Sequence, residues 1–255
     1  MPPSPPTLPP GPPYQPTAIG DARFGCGYPG PHLVEASSTE TLIAATEDDG
    51  VTCIKLAPVV YALPSTLHIV GRLLAIVADD GQATLDGGGS VQLIYVEGAD
   101  VALANLRLSN GFAIDGGAIY NLGGTMAMYT CVLDGNRALV NGGAIYNGGG
   151  TMTMDTCAFN VNHAGIGGAL YLIGYYANVE MATCTFDGNR ATNSGGAIYN
   201  VGKGHVAMDT CAFDDNRAGR GGGAISHIGT TIEIRDGIFT NNAAMVGFHC
   251  PTLAQ

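Results

Sequence analysis

The stretch GGAIYNGGGTMTMDTCAFNVN, residues 142–162, decides the fold of this chain, because its parts return at a fixed interval. GGAIYN stands intact at residues 116–121, 142–147 and 195–200, and looser copies begin at Gly167 and Gly222. Three further columns keep the same beat: Cys131, Cys157, Cys184 and Cys211; Leu133, Phe159, Phe186, Phe213 and Phe239; and Asn136, Asn162, Asn189, Asn216 and Asn242. Columns that stay in register over about 26 residues define an internal repeat, not a lone motif.

Each repeat holds three short alternating stretches, as in GGAIYN, TMTMD and CAFN, separated by Gly or Asn. Alternation over so few residues marks half-buried strands, and nothing between them has the period or length of a helix. A chain that winds once per repeat would pair each strand in parallel with its copy in the next turn. The expected fold is therefore all-β, a single-stranded parallel β-helix of about 7–8 coils whose columns become ladders about 4.8 Å apart. Ile119, Ile145, Leu170, Ile198 and Ile225 face inward, as do Met126, Met152, Val179, Val206 and Ile232 and, two residues on, Met128, Met154, Met181, Met208 and Ile234. The Asn column is placed at a turn, where its amides bond up and down the stack and tolerate a left-handed backbone.

The regular repeats span residues 101–245 and fade upstream. VALANLRLSNG puts Leu106 and Leu108 in the Cys and Phe places, and IKLAP, LHIVG, LLAIVA and VQLIYV read as strands of less regular coils. SSTETLIAATEDDG, residues 37–50, begins with capping residues, carries apolar Leu42, Ile43 and Ala45, and stops at Gly, so it reads as a short helix over the first coil. Three regions follow: residues 1–19 a proline-rich leader, 20–50 a cap segment with the short helix, and 51–255 the β-helix. MPPSPPTLPPGPPYQP favours extended polyproline II and cannot join a core. Its SPP also resembles the hydroxyproline-glycosylated stalks of algal and plant cell-wall proteins.

A formal charge of -11, with only 12% charged residues, leaves no Lys/Arg cluster to neutralise phosphates and excludes nucleic acid and anionic membranes as partners. There is neither an apolar run of roughly 18 residues nor a charged n-region followed by an apolar h-region. No Asn-x-Ser/Thr sequon occurs.

GGAIY together with FNVN, FDGN, FDDN and FTNN resembles the GGA[IVL] and FxxN signatures of right-handed parallel β-helix, pectin-lyase-like proteins with repeats of the polymorphic outer-membrane-protein type. LDGN departs from the pattern, with Leu133 in place of Phe. The resemblance implies a right-handed coil and a secreted or surface-displayed protein. It leaves function open, because this fold hosts lyases, hydrolases, epimerases, adhesins and structural proteins.

Two classes of chemistry compete. A polysaccharide lyase or hydrolase needs converging carboxylates, and Asp155 and Asp209 point outward two coils apart, about 9.6 Å, with Glu180 and Glu233 nearby. Ala182 lies between the two aspartates, and no His or Lys is expected to join them. Asp134, Asp187 and Asp214 are expected to partner Arg137, His163, Arg190 and Arg217 between coils. His163, His205, His227 and His249 share no metal spacing, so neither metal nor cofactor is expected. The cysteine column reads as free buried thiols, Cys26 and Cys53 as a disulfide, and Cys250 as left over.

The other class is a binding surface. Tyr120, Tyr146, Tyr171 and Tyr199 face outward from the first strand, with Ser226 closing the row, and form a strip that could stack on sugar rings, meet a protein, or only stabilise the sheet. Ice binding is a third reading, but the outward set Ala127, Thr153, Glu180, Ala207 and Glu233 is irregular. The sequence thus favours a non-catalytic extracellular scaffold or adhesive module, presenting its Tyr row to a protein neighbour in an assembly or to a cell-surface glycan.

Overall fold

The computed structural model describes residue 26 and residues 32–174, 178–229 and 231–245. The proline-rich leader, His249, Cys250 and the last ten residues lie outside these.

The chain is a parallel β-helix of about seven turns, each about 26 residues long. Strands stack into four parallel sheets, one more than alternation in the sequence reveals. The Tyr sheet runs from Leu67–Val70 through Ile119–Leu122 and Ile145–Gly148 to Ile225–Ile228, in 7 strands. The Met sheet has 9, from Leu33–Ala36 through Thr125–Tyr129 and Thr151–Asp155 to Thr231–Arg235, and the Phe sheet has 8, from Val60–Ala62 to Ile238–Thr240. The fourth, which we call the Arg sheet, has 6 strands from Phe112–Asp115 to Ala243–Ala244, several of only two residues, such as His163–Ala164. Two residues cannot show a period, which is why this sheet is silent in the sequence.

Register follows the repeat: Met126 pairs with Met152, Met152 with Val179, and Phe159 with Phe186. The inward Ile, Met and Phe columns are buried in one continuous core. Phe159, Phe186, Phe213 and Phe239 stack with centroids 4.7 to 4.8 Å apart and planes within 5° of parallel. Ring spacing here equals rung spacing, so each ring is packed by its own copy.

The corners explain the polar repeats. Asn136, Asn162, Asn189 and Asn216 are fully buried. Each side-chain carbonyl accepts from the backbone N–H one turn back, as Asn189 Oδ1 does from Asn162 N at 3.0 Å. Each amide group donates to a backbone carbonyl of the preceding turn, as Asn189 Nδ2 does to Phe159 O at 2.8 Å, and to the next Asn, at 3.0 Å. The left-handed residue is not this Asn, as the turn reading had it, but the one before: Gly135, Val161, Gly188, Asp215 and Asn241, with φ between 46° and 63°. That kink turns the Asn side chain inward, where an unpaired amide would be costly and a ladder of copies satisfies every atom. A second left-handed column, Thr130, Thr156, Thr183 and Thr210, makes the corner between the Met and Phe sheets.

The two glycines of GGAIYN do different jobs. Gly142 takes φ 61°, whereas a Cβ on Gly143 would overlap the carbonyl oxygen of Gly168 in the next turn and the backbone of His163. The closing Asn, read from sequence as a turn residue, is buried: Asn121 Nδ2 donates to Asn147 Oδ1 at 2.7 Å and Asn147 Nδ2 to Gly150 O at 2.7 Å.

The ends differ. At the start, helix α1 (Thr39–Glu47) is capped by Ser38 and Thr41 and buries Leu42 and Ala45 against the first turns. Leu33–Ala36 adds a strand that pairs with Cys53–Leu56, and the buried Tyr61 hydroxyl donates to Ala36 O at 2.6 Å. At the last turn Ile225, Ile232 and Ile234 are only half buried, and Ile238 and Phe239 are exposed.

Candidate functional site

Pairing puts Tyr95, Tyr120, Tyr146, Tyr171 and Tyr199 in one outward column of the Tyr sheet, with His68 before them and Ser226 after. Successive tyrosine centroids are 4.7 to 5.5 Å apart with planes within 11° of parallel, and His68 meets Tyr95 at 5.3 Å, tilted by 43°. Sequence reading missed His68 and Tyr95 because the early turns lack the GGA tag, although LHIV and LIYV carry the same alternation. The rings cover one another's faces, so the strip shows solvent their edges and hydroxyls, not a flat aromatic plane. Stacking on sugar rings is therefore confined to the row's ends, where Tyr199 is followed by Ser226.

Burial, then the neighbouring phenols Tyr120 and Tyr171 and the carboxylate of Asp115, pushes the Tyr146 hydroxyl above the ordinary phenol range. Tyr171 is raised by burial, Tyr199 and Asp115, and Tyr95 by burial and by Glu97, whose carboxylate accepts its hydroxyl at 3.2 Å. Tyr146 and Tyr171 are thus held in the O–H form with hydroxyls toward solvent, while the Tyr95 hydroxyl is taken by Glu97.

The outer face of the Met sheet divides in two. Over the first turns it is a covered apolar strip of Cys53, Ala75, Val77, Ala102 and Ala104, against which Cys26, Leu33 and Tyr129 pack. Cys26 is bonded there to Cys53, with Cα atoms 5.4 Å apart. Later turns open into a shallow groove of about 340 Å³ that brings together Asp155, Glu180, Asp209 and Glu233. His205 and Arg235 line it too, contrary to the expectation that no imidazole joins those carboxylates: His205 begins its strand and Arg235 lies beside Asp209. Glu180 neighbours Ala207, and Asp155 neighbours Ala182, so no two carboxylates occupy adjacent rungs of one column. That spacing limits like-charge repulsion.

The expected partners of the aspartates are not the ones found. Arg107 holds Asp134, but Arg217 bonds Asp215 of its own turn at 2.8 Å, while Asp214 accepts from Thr240 and Asn241. His163 lies between Arg137 and Arg190 in register; its pKa is lowered by burial and then by those two guanidiniums.

The thiols of Cys131, Cys157, Cys184 and Cys211 are free and buried, each 3.4 to 3.8 Å from two backbone carbonyls. Neighbouring sulfurs and burial push Cys157 and Cys211 up, while the same sulfur contacts pull Cys184 down. With the column at 0% to 1% exposure, the cost of burying a thiolate dominates, and the ladder is one of neutral thiols. Among the described residues, no cluster of three or more His, Cys, Asp or Glu could hold a metal, and no helix is long and apolar enough to cross a membrane.

Residues 130–148, 183–201 and 210–227 match the family model described as the Chlamydia polymorphic membrane protein repeat. Each match runs from a left-handed Thr, Thr130, Thr183 or Thr210, through Cys, Leu or Phe and Asn into the GGA corner, so these three segments carry the repeat on a parallel β-helix. No curated protein matches. Among solved structures, a doubly substituted pectate lyase from Xanthomonas campestris is similar at 9% identity, over 92% of this chain and 84% of that one, with a TM-score of 0.41.

Proposed function

We propose that this chain is a non-catalytic, surface-displayed scaffold whose tyrosine row docks a protein neighbour. The row itself carries the reading: rings stacked over five rungs, with their hydroxyl-bearing edges outward. The fold does not require phenols on this face, since Ser226 occupies the same column in a paired strand. A protein is favoured over a glycan because mutual stacking uses the faces on which a sugar would lie. The similarity to membrane-protein repeats supports display at a cell surface.

Replacing Tyr146 and Tyr171 together by Ser is expected to abolish association with the partner while leaving the melting transition cooperative. Undiminished association in that variant removes the binding-face reading.

The groove of Asp155, Glu180, Asp209, Glu233 and His205 supports a second reading, a polysaccharide lyase or hydrolase. Two rungs separate Asp155 from Asp209, about 9.6 Å, at the upper edge of the inverting range. An assay for reducing ends and unsaturated products on acidic and neutral polysaccharides distinguishes the two. Turnover that disappears in Asp155→Ala or Asp209→Ala overturns the scaffold reading.

A further inference from the structure

The tyrosine row has a chemistry narrow enough to name its occupant. It offers apolar ring edges at each rung, hydroxyls at the rungs after Tyr95, whose own O–H is given to Glu97, and no open strand edge, because every tyrosine strand is paired on both sides. A fitting ligand is rich in acceptors, poor in donors, apolar on one side and regular along the helix axis. We propose that the row binds a polyproline II segment, and that its occupant in this protein is the chain's own proline-rich leader, residues 1–16. This rests on the reading of the row as a docking face: the leader is its resident occupant, and a protein neighbour docks there by displacing it.

Nine of those sixteen residues are proline and none is charged. A polyproline II helix has no internal hydrogen bonds and its prolines bring no N–H donors, so such a segment presents carbonyls to O–H donors. Three residues of polyproline II advance about 9.3 Å, and two rungs of a parallel sheet about 9.6 Å. A leader lying along the row therefore returns the same face to every second tyrosine. Over the roughly 25 Å from His68 to Tyr199 the mismatch accumulates to less than about 1 Å, within the play of a phenol side chain. Absence of charge also suits the site, since a neutral ligand meets no field from Glu97 and Asp115 beside the row.

Tether and length agree. Cys26 is fixed to Cys53 on the first turn of the Met sheet. The Met sheet joins the Tyr sheet through a two-residue corner, as at Gly123 and Gly124 between Ile119–Leu122 and Thr125–Tyr129. Residues 17–25 reach about 30 Å when extended, and residues 2–16 span about 46 Å as polyproline II, more than the whole row. Attachment in cis supplies an effective concentration in the millimolar range, enough for a weak proline contact to persist.

The test is per-residue nitration by tetranitromethane, read by mass spectrometry on the full chain and on a full-length variant carrying Pro5→Ser, Pro6→Ser, Pro9→Ser, Pro10→Ser, Pro12→Ser and Pro13→Ser. Buried Tyr61 serves as the internal reference, and an unchanged melting transition shows that the core is untouched. The expected result is nitration of Tyr120, Tyr146 and Tyr171 at least about three-fold faster in the variant, with protection in the native chain independent of protein concentration. Equal rates overturn the proposal. Protection that fades on dilution also overturns it, by assigning the row to the leader of another copy. If rates are equal while Tyr146→Ser with Tyr171→Ser still abolishes partner association, the docking face stands and only its assignment to the leader falls.

Discussion

Inside and outside this β-helix, columns repeat for different reasons. The buried Asn column is identical from Asn136 to Asn242 because each amide's partner is its own copy one turn away. On the outer face of the Met sheet the equivalent position reads Ala127, Thr153, Glu180, Ala207 and Glu233, since water accepts any of them. The outer face of the Tyr sheet behaves like the inside, with five tyrosines in succession. Identical aromatic rings along the middle of a sheet, without full burial, mark that row, whereas the exposed Thr130, Thr156, Thr183 and Thr210 column repeats at a left-handed corner.

The sharpest way to break this contrast is to interrupt an inner ladder. Asn189→Ala strips partners from the Asn162 backbone N–H and side-chain amide, from Phe159 O and from Asn216, at a fully buried position. It should cost about 3 kcal/mol in denaturant unfolding, against less than about 0.5 kcal/mol for Glu180→Ala on the Met sheet. Equal costs would mean that the ladder is decoration.

On the Tyr sheet the same comparison predicts an intermediate loss. Removing two rings by Tyr146→Ser with Tyr171→Ser deletes three stacking contacts and should lower stability by about 1 to 2 kcal/mol, leaving one cooperative transition. A loss as large as that of Asn189→Ala would assign the row to the fold and not to a partner.

Smaller effects sharpen the corners. Thr183 is exposed and β-branched yet held at φ 53°. Thr183→Asn should raise stability by about 0.5 to 1 kcal/mol, because Asn enters the left-handed region at lower cost. In the Arg sheet, His163 is held below its ordinary value of 6.5 by burial and by Arg137 and Arg190. The folded chain therefore favours neutral imidazole: stability is complete above that value and declines as pH falls through it. His163→Gln should remove that decline from a pH series of unfolding curves.

The inner columns were legible in the sequence because Cys, Phe and Asn each recur as a single residue type. The Arg sheet was not, because strands such as Arg190–Ala191 are too short to alternate. His68 and Tyr95 escaped because their turns share the strand but not the glycine corner. The position of the left-handed residue, one before the Asn, was hidden because Gly135, Val161 and Asp215 have nothing in common as residue types. On the groove, His205 and Asp209 begin and end one alternating strand, HVAMD, so the face they share was legible in the sequence; weighing the histidines only for metal spacing passed it over. Ring orientation could not be read at all, since it is set by the neighbouring ring one turn away. That orientation turned a strip suited to sugar stacking into a row of edges and hydroxyls.

The most direct test sets the two outer faces against each other on one isolated partner. Dissociation constants are measured for the native chain, for Tyr146→Ser with Tyr171→Ser, and for Asp155→Ala with Asp209→Ala, each shown to melt cooperatively. The account predicts at least about a hundred-fold weakening for the tyrosine pair, the size expected when central anchors are lost, and less than about three-fold for the aspartate pair. Full affinity without the tyrosines, together with loss of binding or of polysaccharide turnover without the aspartates, would contradict it and move the working face to the Met sheet.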